Sequence, residues 1–448
     1  MQGHRKKHLL PRCTEGLRWL LAVAAVAVVE RFLMFAFYPP VAYDDTPSYR
    51  HLAATILNHW QGYDGTRTPG YPIFLAWVGP DRWVYLLQLG MGLAITLVFF
   101  WVGWQASGKA RFGAAAALAH TLNLGQLFFE ANLLTETLTT FLLALSVLAV
   151  FEGLRRRGWI RLAWALAGGL FGGLAGLVRP LFFFVPFWMA LFFPLAFWRE
   201  GWRVRLGNLF APLLPGLIIA GLWVGYIDTN FHILSVTVMN GYHLVQHTGY
   251  FFEYVPDEDA ALRDTYLRYR AERIARYGTQ GNTIWDAIPE LEKVTGLSFY
   301  NLSQKMASIS IELIREHPGL YLRTVVSGWF LYWRAPVYWD AGAIAPPGLR
   351  VLLQGLVTAE RLALVAFNLT FILGSLVTLL WKRFRQIFHP NPVIYYLTGL
   401  IWLSSIAQTL PDHGDNPRFL IPLQSWVVFC VLWFGFGLRD YLRQQRKS

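Results

Sequence analysis

The chain has 448 residues, 55% of them hydrophobic and only 15% charged, with a mean hydropathy of +0.37. Soluble domains carry about 25% charged residues, so an ordinary soluble enzyme is excluded and the composition predicts an all-α polytopic membrane protein. The formal net charge of +12 is spread over separate short segments, which excludes nucleic-acid binding as its purpose. The two cysteines, Cys13 in the basic N-terminal tail and Cys430 in the last apolar run, show neither a disulfide framework nor metal-ligand spacing.

Apolar runs long enough to cross a bilayer predict about ten transmembrane helices, at 17–38, 83–105, 112–129, 133–151, 162–178, 181–198, 207–228, 354–381, 393–410 and 418–438. The first follows basic residues but lacks a small-residue cleavage site, so it reads as a retained span. Basic residues recur in every second connection: Arg5, Lys6, Lys7 and Arg12; Lys109 and Arg111; Arg155, Arg156, Arg157 and Arg161; Arg199, Arg203 and Arg205; Lys382, Arg383 and Arg385; then Arg439, Arg443, Arg446 and Lys447. Short Lys/Arg-rich loops stay in the cytoplasm. That places both termini inside and makes the chain a multi-pass protein of the plasma (inner) membrane. An eleventh crossing at 319–338 would reverse the KRFR cluster at 382–385, so that stretch, rich in Trp, Tyr and Arg, is expected to lie in the interface, with a short re-entrant pair or two further crossings as the alternative. Three regions follow: an N-terminal transmembrane module over 1–228 with a first outer loop at 39–82, an external cap with its interfacial helix over 229–353, and C-terminal spans over 354–448.

The first outer loop reads YDDTPSYRHLAATILNHWQGYDGTRTPGYPIFL from Tyr43. Asp44 and Asp45 precede an amphipathic segment with Tyr49, Leu52, Ala53, Ile56 and Leu57 at helical spacing. Gly62, Gly65, Pro69, Gly70 and Pro72 then punctuate a turn that carries Arg67. The cap opens on an aromatic, His-rich stretch with His243 and His247. A helix is expected after Asp257-Glu258-Asp259, acidic at its start and basic later, and another over 302–317, ending at Pro318. Further charges gather on the outer side: Glu30 and Arg31, Glu130 and Glu136, Arg179, and Asp412, His413, Asp415 and Arg418 in the last outer loop. Each alone reads as helix capping or snorkelling. Together they outline one outward-facing polar cavity, and ionisable groups converging near a membrane mark a functional site.

Several motifs in order resemble the GT-C superfamily of membrane glycosyltransferases, in particular the bacterial relatives of protein O-mannosyltransferases and of the aminoarabinose transferase (glycosyltransferase 39-like) group. DTPSYRHLA resembles the family's Asp-x-x-x-Tyr-x-x-x-Ala helix, RTPGYPIFLA its second loop element, NLLTETL its Ser/Thr-Glu turn, and GLVRP its arginine-proline element. SISIELIREHPGLYLR is similar to its helix ending in His-Pro, and PRFLIP to its terminal Arg-Tyr/Phe-x-x-Pro. The resemblance implies transfer of a sugar from a polyprenyl-phosphate donor to a lipid, glycan or protein hydroxyl on the outer face, with inversion. It places Asp45 at the catalytic position by its offset from Tyr49, with Asp44 as second candidate and Glu136 as a further catalytic acid.

Residue chemistry fits this expectation. An acceptor hydroxyl needs a carboxylate to take its proton. A departing phosphate needs cations, for which Arg418, Arg67, Arg179, His243 and His247 are the donor-phosphate candidates. Tyr49, Tyr71, Glu130 and Asp415 complete the expected substrate contacts. No cofactor is required; a divalent metal at Asp44/Asp45 is the variant some family members use, and metal-free chemistry is the expectation. The alternative class is a transporter or flippase of a lipid-linked or anionic substrate. It predicts charges near mid-membrane and helices broken there.

Overall fold

The structure is a computed structural model that describes residues 9–414 and 416–446, with side chains described from Thr14 onward. Asp415, one of the expected substrate residues, lies outside the described residues. Among those described, the chain forms nineteen α-helices joined by short turns and 3₁₀ segments, and its sole β feature is an isolated parallel bridge between Val41 and Asn132.

α1 (Leu9–Phe37) leads into the first outer loop, which holds α2 (Thr46–Leu57) and α3 (Gly70–Val78). Then come α4 (Asp81–Ser107), α5 (Ala110–Thr121), α6 (Leu124–Ala131), α7 (Glu136–Arg155), α8 (Gly158–Val178), α9 (Val185–Ala196) and α10 (Trp202–Phe231). The cap region contains α11 (Asn240–Thr248), α12 (Ala260–Tyr277), α13 (Thr283–Thr295), α14 (Phe299–Glu316) and α15 (Pro318–Tyr332). α16 (Pro347–Leu380), α17 (Lys382–Phe388), α18 (Pro392–Thr409) and α19 (Ile421–Gln445) complete the chain.

Among the described residues, seven helical segments are long and apolar enough to cross a membrane: Thr14–Phe37, Asp81–Ser107, Glu136–Arg155, Gly158–Val178, Trp202–Phe231, Pro347–Leu380 and Asn416–Gln445. The other three expected spans differ for local reasons. The 112–129 run is broken between α5 and α6, where the Asn123 side chain accepts from Gln126 N–H at 2.8 Å as an N-cap. Glu360 of α16 also accepts from the N–H groups of Leu124 and Gly125, at 2.8 and 2.9 Å. The 181–198 run opens as a 3₁₀ turn at Pro180 and gives a shorter apolar helix, Pro180–Ala196. α18 has 18 residues, and buried Ser404, Ser405 and Gln408 dilute its apolar character. At about 1.5 Å per residue, the 15 residues of α15 fall short of a bilayer's thickness.

Ion pairs mark the two ends of the bundle. Arg50 of α2 pairs with Asp81 at the start of α4, and Lys109, just past the end of α4, pairs with Asp440 of α19. The 27-residue α4 between them spans about 40 Å. The first outer loop therefore sits at the end where α4 begins, and the 109–111 turn and the C-terminal helix meet at the other.

Two cores divide the molecule. In the bundle, Phe99 stacks on Trp426 at 4.0 Å and on His120 at 5.2 Å. In the cap, Tyr242, Phe252, Leu262, Tyr266, Ile284, Leu302 and Met306 are buried together. Where such side chains are buried from water, each stabilises by about 1.5–3 kcal/mol. Inside a bilayer close packing has to do that work. Both cap helices expected from sequence are present as α12 and α14; α13 is additional.

Candidate functional site

Five elements converge where the first outer loop, two span ends and the last loop meet. Asp45 occupies the N-cap position of α2, yet its carboxylate makes no capping bond to that helix. Thr46 does the local work, accepting from Tyr43 N–H at 2.9 Å and donating to Leu133 O at 3.0 Å. Asp45 is thereby left free to turn toward cations. Glu136 begins α7, where the helix dipole favours a negative charge. Arg179 ends α8 just before Pro180, and Arg418 lies in the 3₁₀ turn Asn416–Leu420. Arg67 sits in the turn between α2 and α3. Gly65 has a φ of +68° there, a conformation glycine adopts without strain. That turn is pinned by the Val238 N–H donating to Gly65 O at 3.2 Å and by the Tyr63 hydroxyl donating to Arg67 O at 3.1 Å.

These side chains form one continuous run of contacts. Arg67 Nη2 donates to Asp45 Oδ1 and Arg418 Nη1 to Asp45 Oδ2, each at 2.6 Å. Arg418 Nε also donates to Glu136 Oε1, which accepts from Arg179 Nη1 at 3.0 Å. Three guanidiniums against two carboxylates leave one positive charge in excess. Burial alone would raise the Asp45 carboxyl, but Arg67 and then Arg418 outweigh it and hold it at about 2. Tyr49 lies under the Arg67 guanidinium, 5.5 Å from its ring centre, and Phe419 under Arg179 at 4.2 Å.

The run forms one wall of a cavity of about 650 Å³ between the bundle and the cap, with Glu136 fully buried behind it. Val178, Leu181, Phe184, Leu244 and Phe419 give the cavity a mainly apolar lining. The cap supplies a second polar group. His243 Nδ1 donates to Asp412 Oδ2 at 3.2 Å, and Asp412 Oδ1 accepts from Gly414 N–H at 2.7 Å. Burial would raise Asp412, but the bond and charge of His243 hold it below the ordinary carboxylate range. Trp285 meets the His243 ring edge to face, 5.8 Å away.

Of the residues expected from sequence, Asp45, Arg67, Arg179, Arg418, Tyr49 and His243 line this cavity, and Glu136 supports it. Tyr71 stands one layer behind, packed edge to face on Tyr49 and donating to Gln88 Oε1 at 3.1 Å. His247 is fully buried in the cap, with Nδ1 on Thr324 at 2.9 Å, and does not line the cavity. Glu130 lies elsewhere in the bundle, where Oε1 accepts from Arg31 Nη2 at 2.6 Å. Asp44 is exposed and makes no ion pair among the described residues. Asn240 and Gln408 line the cavity without having been expected there, and Asp412, expected only as one of the outer charges, lines it as well. Asp412 was visible as a charge in the last outer loop, but nothing local tells that it meets a histidine 169 positions earlier.

The donor set does not fit a divalent cation. Asp44 and Asp45 do not converge, both Asp45 oxygens face guanidiniums, and three arginines crowd the same space. Among the described residues no group of three or more His, Cys, Asp and Glu side chains could hold a metal ion. Excess cations beside an apolar lining suit an amphiphilic monoanion.

No protein-family model matches the chain, and no curated protein matches it. Among solved structures, the chain is similar to the apo crystal structure of ArnT from Cupriavidus metallidurans, with 15% identity and a TM-score of 0.34, over 92% of this chain and 77% of that one.

Proposed function

We propose that this membrane protein transfers a sugar from a polyprenyl-phosphate donor to a hydroxyl acceptor at the outer face of the plasma membrane. The observation that carries the reading is the run Arg67–Asp45–Arg418–Glu136–Arg179 set into an apolar cavity. A lipid phosphodiester carries one negative charge and a long apolar tail, which matches the excess charge and the lining. The order of motifs resembling membrane glycosyltransferases points the same way.

In this reading the guanidiniums of Arg67 and Arg418 grip the phosphate oxygens and Arg179 adds charge from behind. The acceptor oxygen bonds to the anomeric carbon as the carbon–oxygen bond to phosphate breaks on the opposite side, inverting that centre. The electron pair leaves with the phosphate, where the arginines stabilise it. The hydroxyl proton passes to the Asp45 carboxylate, which retains lone pairs not used by the arginines. No metal takes part. His243, held by Asp412, faces the cavity from the cap and is suited to hydrogen-bond sugar or acceptor hydroxyls.

A carrier for a lipid-linked anion would want the same charges, and the broken α5–α6 helix is a feature such carriers share. That break contributes nothing to the cavity lining, however, and its exposed backbone groups are already satisfied by Asn123 and Glu360. The deciding experiment incubates purified protein with radiolabelled undecaprenyl-phosphate hexose, pentose and aminosugar, with a cell-envelope extract as acceptor. The expected product is a new glycosidic bond that survives mild acid. Movement of label across vesicles with no such bond would remove the transferase reading.

A further inference from the structure

The cluster couples its base to its substrate. Asp45 Oδ1 and Oδ2 each sit on a different guanidinium, and both guanidiniums line the cavity that a donor phosphate would enter. Two anions that draw on the same cations are thermodynamically linked, and the linkage is reciprocal. Whatever hold on Asp45 the arginines give up when a phosphate arrives, the phosphate gains when the charge of Asp45 is removed.

We propose that Asp45 and the donor phosphate compete for Arg67 and Arg418, so that the empty site keeps Asp45 engaged and donor arrival releases it to take the acceptor's proton. This rests on the transferase reading and adds an order to it: donor first, acceptor second. An acceptor that arrives alone meets a carboxylate tied to two guanidiniums. After donor binding, the negative phosphate draws those groups toward itself, and the hydroxyl proton can move to Asp45 as the new carbon–oxygen bond forms and the electron pair departs with phosphate.

The rival role for Asp45 is a scaffold that holds the arginines in place. The surroundings argue against it, because each arginine has other supports. Arg418 keeps its contact with Glu136. Arg67 lies over the Tyr49 ring, and its backbone is fixed by Tyr63. Removing the charge of Asp45 therefore leaves two held guanidiniums with one anion fewer to satisfy.

The test needs neither the sugar nor the acceptor. Binding of undecaprenyl phosphate is measured by native mass spectrometry on wild type, Asp45→Asn, Asp45→Ala, Arg67→Gln and Arg418→Gln, with thermal melting as the check on folding. Both Asp45 variants are expected to bind about tenfold more tightly, within the usual range of a coupling between sites. Arg67→Gln and Arg418→Gln are expected to bind more weakly. Equal or weaker binding by both folded Asp45 variants, with the arginine variants still impaired, overturns the competition and leaves the phosphate site standing. Absence of undecaprenyl phosphate binding in wild type, or binding indifferent to both arginines, overturns the transferase reading together with it.

Discussion

Arg418 is the side chain both acids share. It spans Asp45 and Glu136 through different nitrogens of one planar group, a geometry a single ammonium cannot reproduce. Arg418→Lys is expected to keep the fold and lower sugar transfer by 2–4 kcal/mol of transition-state stabilisation, roughly 10²–10³-fold. A wild-type rate in that variant would reduce Arg418 to a membrane anchor. Asp45→Asn is expected to slow transfer by at least about 10²-fold, the scale of losing a general base, while its donor binding tightens. Weakened binding together with slow transfer would mean a structural role instead. At this scale the sequence already pointed to Asp45 and Glu136 through the resembling motifs, and to Arg67, Arg179 and Arg418 through their place in the outer loops and at span ends. It did not show who pairs with whom. Glu130 and Glu136 look alike in sequence, yet one is spent on Arg31 and the other on Arg179 and Arg418. That choice depends on how α1, α4 and α8 pack, and close packing leaves no local mark. Gly92 shows the dependence, since a Cβ there would run into the Glu130 carboxylate.

At the scale of elements, the long apolar helices were plain from length and hydropathy, and the runs that turn out shorter or broken are those that polar groups or proline interrupt. The N-cap signal Asn123 was present within the 112–129 run, but Glu360, which accepts from the next N–H at Leu124, lies 236 positions beyond that residue. α11 and α15 are joined through a buried histidine. Burial, reinforced by the neighbouring His413, pushes His247 down to about 4 from an ordinary 6.5. Between those values the unfolded cap binds the proton and the folded cap refuses it. Stability from this residue is therefore complete above pH 6.5 and is lost as pH falls toward 4, by on the order of 3 kcal/mol. Melting curves of the purified protein should shift down across that window, and His247→Gln, which stays neutral, should flatten the shift. An unchanged slope in His247→Gln would show that other groups set it. His413, also pushed down by burial, acts in the same direction.

For the whole molecule, the charge of the loops sets an orientation. Cysteines introduced at the exposed positions Gln61 and Thr279 should react with an impermeant reagent added to intact cells. Labelling of either only after permeabilisation would invert the orientation. The native Cys430 is fully buried and should stay silent. The general plan was legible because the bilayer forces backbone groups into helices; the cap was less so, and α13 went unread although Asn282 and Thr283 followed by Asp286 mark its start. The Val41–Asn132 bridge has a larger meaning than its size. Val41 donates to Ala131 O and accepts from Leu133 N–H, both at 2.9 Å, so the strand-like entry to Asp45 is laced to the residues just before Glu136. The run from Arg67 to Arg179 is thus carried by the first outer loop and the span ends, while the 229–353 region faces it with His243 and also pins the Arg67 turn through Val238. On the proposed reading, the hold on a lipid phosphate would not depend on the outermost helices, and a chimera that exchanges α12 and α13 while keeping Val238 and His243 should retain its undecaprenyl phosphate affinity.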